Sequence, residues 1–123
     1  IGMVHVGALP GTPRAVNDVT ELVRLAVAEA WTLAEGGCDG LLVENMHDLP
    51  YLRRGVGPEV VAGMTAVCRA IREVTTLPCG VQVLAGANEA ALAVALASGF
   101  EFVRVEGFVF GHVADEGWMD ACA

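Results

Sequence analysis

The chain has no lysine and only one serine, Ser98, among its 123 residues. Without lysine, this stretch offers neither Schiff-base chemistry nor a lysine contact to phosphate. Ser98 falls at the end of an expected helix, a poor place for a nucleophile. Cys79 is no better, since it opens an expected strand, at the end away from the expected mouth of a site. Basic residues are few as well: seven arginines stand against fifteen acidic residues, for a net charge of −8. An acidic chain with no basic patch argues against nucleic acid and against anionic membrane surfaces as partners. No apolar run approaches the roughly 18 residues of a membrane span, so no membrane insertion is expected. The four cysteines, Cys38, Cys68, Cys79 and Cys122, show no C-x-x-C spacing. That excludes both a zinc signature and a secreted disulfide framework. They read as buried thiols of a reducing compartment, cytoplasm or organelle. No signal or transit peptide is visible. The sequence begins at Ile1, inside an apolar run, and is expected to be part of a longer chain.

What the chain does have is apolar material: 54% of its residues are hydrophobic, enough for the core of one domain or part of one. Residues 2–9 read as a strand closed by Pro10-Gly11-Thr12-Pro13. Asp18, with Glu21 three positions on, has the capping-box pattern, and Leu22, Ala26, Ala30 and Leu33 recur at helical spacing up to Gly36-Gly37. A second strand is expected at 39–44. Pro58 suits a helix start, and Val60, Val61, Met64, Val67, Cys68, Ile71 and Val74 form one apolar stripe after it. A third strand is expected at 79–84, and a helix over Glu89–Ser98 with Asn88 as N-cap and Gly99 at its end. A fourth strand is expected at 101–106, then a loop, then the opening of a helix at 115–119. The alternation of strand and helix dictates an α/β fold with a parallel sheet. Two architectures fit, an open doubly wound sheet and a partial (β/α)₈ TIM barrel. About four βα units are half of the roughly 250 residues a barrel needs, so residues 1–123 are expected to be the N-terminal half of one.

Side chains alternate across a strand. Val4 and Val6 leave His5 on the opposite face; Leu41 and Val43 leave Glu44; Val81 and Val83 leave Gln82; Val103 and Val105 leave Arg104 and Glu106. A dry interior would charge these groups a desolvation cost, so a polar cavity at the C-terminal mouth is expected. The loops at the same end add Asn45, His47, Asp48, Asn88, His112, Asp115 and Glu116. The competing reading is a set of groups that satisfy one another, through Glu44–Arg104 or Glu106–Arg104 pairs. Histidines and carboxylates here could also assemble a zinc or manganese site, although H-x-x-x-H and H-E-x-x-H spacings are missing. Glu44 and Glu106 are candidates for acid–base work. Asn88 at a helix N-terminus is the better of two candidate anion contacts.

Three segments carry a family resemblance. Ile1-Gly2-Met3-Val4-His5-Val6-Gly7-Ala8-Leu9-Pro10-Gly11, Val43-Glu44-Asn45-Met46-His47-Asp48 and Ala114-Asp115-Glu116-Gly117 resemble the H-x-x-x-L-P-G, V-E-N-x-x-D and D-x-G segments of the BtpA family. The resemblance implies a ribulose-phosphate-binding type of barrel and matches His5, Glu44, Asn45, Asp48, Asp115 and Gly117 to family positions. It implies either an enzyme acting on a small polar or phosphorylated metabolite, or a non-catalytic assembly factor of the photosystem I biogenesis kind. Strand three departs from the family pattern: Gln82-Val83-Leu84-Ala85-Gly86-Ala87-Asn88 stands where N-V-L-R-N-D is common. The expected catalytic group is Glu44, supported by His47 and Asp48. The expected ligand contacts are His5, Asn45, Gln82, Asn88, Arg104, Glu106 and Asp115, with Arg104 holding an anionic group. No cofactor is assigned, the metal question is open, and a homo-oligomer is expected for the full-length form.

Overall fold

The computed structural model describes all 123 residues. Four short strands, β1 (Gly2–His5), β2 (Leu41–Glu44), β3 (Cys79–Gln82) and β4 (Phe102–Val103), alternate with three helices, α1 (Val19–Glu35), α2 (Pro58–Val74) and α3 (Asn88–Ser98). The strands form one parallel sheet in the order β1-β2-β3-β4. A doubly wound sheet reverses its strand order at a switch point. This sheet has no reversal, and its sequential order is that of consecutive units in a (β/α)₈ barrel. No helix is long and apolar enough to cross a membrane.

The registers explain why the polar strand residues fall together. Val4, Val43, Val81 and Val103 are mutual partners across the sheet, and all face the helices. They pack in one core with Leu22, Ala26 and Ala30 of α1, Met64, Val67 and Ile71 of α2, and Ala91, Val94 and Ala95 of α3. At about 25 cal/mol per Å² of buried apolar surface, this layer is the main source of stability and fixes the phase of every strand. The residues one position on, His5, Glu44 and Gln82, are therefore also partners, on the other face.

The caps follow the sequence closely. Asp18 accepts a hydrogen bond from the Glu21 backbone N–H at 2.8 Å. The reciprocal half of the capping box does not form, because the Glu21 carboxylate pairs with Arg24 instead. Gly57 precedes α2, with Pro58 in its first turn, and Gly99 ends α3 in the left-handed region at φ 75°.

Four expectations need correction. The first strand stops at His5 rather than running to Leu9: the Val6 N–H still bonds to Glu44, but the Leu9 N–H goes to the Asp48 carboxylate. The fourth strand is shorter than 101–106, because the Glu106 N–H is taken by the Asn88 side chain, not by β3. Asn88 is not the N-cap of α3. It is the first helical residue after Ala87, and its amide reaches Glu106. No helix opens at 115–119. His112–Ala114 (β5) and Gly117–Met119 (β6) form an antiparallel hairpin, with Val113 paired to Trp118. Asp115-Glu116 act as turn residues, and Gly117 takes the positive φ of 97° that the turn demands.

Candidate functional site

The polar row at the C-terminal ends of β1, β2 and β3 centres on Glu44. Its carboxylate is 3.7 Å from His5 Nε2 and 3.2 Å from Arg104 Nη2, which follows β4 in the next register position. Glu44 and Gln82 are each only 2% exposed, whereas His5 and Arg104 open to solvent. Arg104 therefore lies across a buried carboxylate from the solvent side. Of the two ion pairs the sequence allowed, this is Glu44–Arg104.

Glu106 forms a second cluster. It is 3.4 Å from His112 Nε2 on the hairpin and accepts a long hydrogen bond, 3.5 Å, from Gln82 Nε2. Two oxygens in the row have no hydrogen-bond donor although both are buried: Glu44 Oε1, which the Arg104 guanidinium approaches off the hydrogen-bonding direction, and Gln82 Oε1. A buried acceptor without a donor costs about 1–3 kcal/mol; Gln82 Oε1 has none, and Glu44 Oε1 has the Arg104 charge beside it.

Asn45 and Asp48 do different work from Glu44. Asp48 Oδ1 accepts from the Leu9 N–H at 2.8 Å, and Oδ2 accepts from Asn45 Nδ2 at 2.9 Å. Asn45 Oδ1 in turn accepts from the Leu84 N–H at 2.7 Å. This relay ties together the segments that follow β1, β2 and β3. Burial pushes the Asp48 carboxyl above the usual carboxylate range, while the Leu9 N–H, the Asn45 amide and His47 pull it back. The structure does not join Asp48 to Glu44, since its partners are Leu9 and Asn45. His47 is exposed at the loop tip, and Asp115 is exposed on the hairpin turn.

Two residues at the mouth escaped the sequence reading. Tyr51 donates to the Met46 carbonyl at 2.7 Å, and burial, with the Glu116, Glu44 and Asp48 carboxylates, raises its pKa, keeping the phenol protonated. Arg54 reaches from the loop after β2 to the backbone carbonyls of Gly86 and Glu106, both at 3.4 Å, leaving Nη2 buried without a partner. Loop residues have no periodicity, so the only available signals were that Tyr51 is the sole tyrosine and that Arg53-Arg54 is the sole pair of adjacent basic residues.

Tyr51, Glu106, Asp115 and Glu116, with Leu84, line a cavity of about 220 Å³ under the hairpin. A second cavity of about 190 Å³ lies on the other side of the relay, between Gly11-Thr12-Pro13, Asp48 and the start of α2, and its walls are mainly apolar. No three His, Cys, Asp or Glu side chains converge into a group that could hold a metal ion; His5–Glu44 and Glu106–His112 remain pairs. Chemically, the arrangement offers a buried carboxylate flanked by an imidazole and a guanidinium, beside a buried amide acceptor.

The sequence matches the BtpA family over residues 1–123. The chain belongs to the BtpA family. Among its relatives, an uncharacterized mitochondrial protein of Caenorhabditis elegans is 44% identical over 99% of this chain and 46% of its own length. An uncharacterized protein of Archaeoglobus fulgidus is 38% identical over all of this chain and 49% of its own length. The photosystem I biogenesis protein BtpA of Synechocystis is 35% identical over all of this chain and 43% of its own length. The chain thus spans about half the length of the curated relatives it matches. No solved structure matches it significantly. The first two BtpA-like segments meet in space: His5 and Glu44 are paired at 3.7 Å, and the Asn45–Asp48 relay captures Leu9 of the first segment.

Proposed function

We propose that this chain is the N-terminal half of a BtpA-family (β/α)₈ barrel that binds a small polar metabolite at its C-terminal mouth. The observation that carries the reading is the pair of donorless buried oxygens, Glu44 Oε1 and Gln82 Oε1, on adjacent strands. Hydroxyl or amino hydrogens of a ligand would satisfy both once Arg104, which is exposed, swings aside. The sequential parallel sheet and the relatives' roughly doubled length support the barrel. Glu44 is the group placed for acid–base work, with His5 adjacent, and the displaced Arg104 would meet an anionic part of the ligand. Asn45 and Asp48 serve the site by fixing its loops. A phosphate on the ligand finds few donors in this half beyond the displaced Arg104, since Glu89 stands in the first turn of α3. In this reading, its other contacts come from the remainder of the full-length chain.

The test is binding to the full-length natural protein, followed by thermal unfolding against sugars, amines, sugar phosphates, nucleotides and divalent cations. A ligand at about 100 times its Kd stabilises by about 2.7 kcal/mol. Glu44→Gln should lose turnover and weaken binding of whichever compound stabilises the natural protein. Stabilisation by none of them would favour the non-catalytic assembly role carried by the name of the Synechocystis relative.

A further inference from the structure

Gln82 sits on β3, which has a hydrogen-bonded strand on each side, and is only 2% exposed. A primary amide offers donors at its nitrogen and an acceptor at its oxygen, so its orientation decides what a neighbour must supply. Here Nε2 donates to Glu106 Oε2 at 3.5 Å, and Oε1 has no donor. The opposite orientation would set Oε1 against a carboxylate oxygen, and an ionised carboxylate only accepts. The contact is long, but the choice does not depend on its strength: one end of the amide is attracted to the carboxylate and the other is repelled. Glu106 therefore fixes which way a buried amide faces.

Glu106 is itself held from several sides. Asn88, at the start of α3, takes both of its backbone groups: Nδ2 donates to the Glu106 carbonyl at 2.9 Å, and Oδ1 accepts from the Glu106 N–H at 3.3 Å. Arg54 donates to the same carbonyl at 3.4 Å. The other carboxylate oxygen, Oε1, is 3.4 Å from His112 Nε2 on the hairpin, which leaves Oε2 for Gln82. Each of these groups lies within residues 1–123, so the orientation of the amide is set by this half of the chain itself. With both carboxylate oxygens engaged, Glu106 acts through Gln82 rather than on a ligand.

We propose that Glu106 is a positioning residue that sets Gln82 as an acceptor, so that the site takes a hydrogen-bond donor there, a hydroxyl or an amine, and rejects an ether or carbonyl oxygen. The inference rests on the ligand-binding reading of the mouth and gives the ligand's chemistry at one point.

Side-chain amide NMR of the full-length natural protein tests the orientation first. The Gln82 NH₂ signals, assigned by their loss in Gln82→Leu, are expected to move as pH falls through the carboxylate range. Glu106→Gln should abolish that movement with the far-UV circular dichroism unchanged. Ethylene glycol and methylammonium, which donate, are then titrated alongside 1,2-dimethoxyethane and tetramethylammonium, which do not. At least one donor should shift the Gln82 signals with an affinity about tenfold or more above that of its methylated counterpart, the glycol if the group is a hydroxyl and methylammonium if it is an amine. Glu106→Gln leaves the amide free to turn either way and should bring that ratio to within about twofold. Gln82 signals indifferent to Glu106→Gln would overturn the proposal. A preference that survives Glu106→Gln would reflect probe size and would overturn it too. No response of Gln82 to any probe would overturn the ligand reading, and the selectivity with it; the pH-dependent signal, which needs no ligand, tells that failure from a failure of the orientation.

Discussion

Replacing Asp48 probes the relay that aligns the loops of the site. The two ends of that relay are backbone N–H groups, of Leu9 and Leu84, and neither can turn away. Asn45 is thereby locked, since its oxygen must face Leu84 and its nitrogen must face Asp48. Position 48 must then supply two acceptors. Asp48→Ala orphans the Leu9 N–H and one hydrogen of Asn45 in a buried setting, at about 1–3 kcal/mol each. Allowing for relaxation, the loss should be about 3 kcal/mol. Asp48→Asn offers one acceptor and sets an NH₂ against a donor, a mismatch that no flip of Asn45 can relieve, so about 1–2 kcal/mol is expected. Because burial raises the Asp48 pKa, the native state holds this proton more tightly than the unfolded chain does. The contribution of its titration to stability is thus full below the usual aspartate pKa and declines as pH rises through the raised one, and Asp48→Asn should abolish that decline. Urea unfolding of the full-length protein at 25 °C measures all three effects. A midpoint for Asp48→Ala within about 0.5 kcal/mol of the natural protein at equal m-value would refute the relay.

Gly80 faces the ring of Phe102, and a Cβ there would lie 2.2 Å from Cε2. Gly80→Ala should cost about 1–2 kcal/mol in the natural background and close to none beside Phe102→Ala; equal costs in both backgrounds would remove the contact as the cause. Burial raises the thiol pKa of Cys68, and raises that of Cys79 too, against the pull of Arg72 and with a further push from Glu101. In a mass-mapped alkylation at about pH 8, both should stay unmodified until the protein unfolds, and rapid labelling of Cys68 in the folded state would contradict its place in the core.

The helix-facing side of the sheet was legible because valine repeats at every second position in three of the strands, and the fourth supplies Leu41 and Val43. That repetition also set the phase of the polar residues, and the parallel register then brought His5, Glu44 and Gln82 into one row. Two things could not be read. Strand ends depend on which partner captures a backbone N–H, and the captors, Asp48 for Leu9 and Asn88 for Glu106, lie 39 and 18 residues away. The hairpin was misjudged because Asp115-Glu116 ahead of Trp118 and Met119 suits a helix start as well as a turn. Tertiary packing decides between them, through the Val113–Trp118 pair and the burial of Met119 against Gly86. The same blindness to partners hid the hydrogen bonds that Asn45, expected as a ligand contact, and Asp48, expected to support Glu44, make to neighbouring loops.

In the proposed function, Glu44 and Gln82 receive a ligand's hydrogen-bond donors. The most direct test is calorimetric titration of the full-length protein with a compound that stabilises it, repeated on Gln82→Leu, which removes the unpaired acceptor together with the long hydrogen bond to Glu106. The variant should fold with at least equal stability and bind about tenfold or more weakly, the loss of one buried hydrogen bond. Unchanged affinity in Gln82→Leu and in Glu44→Gln alike would contradict it.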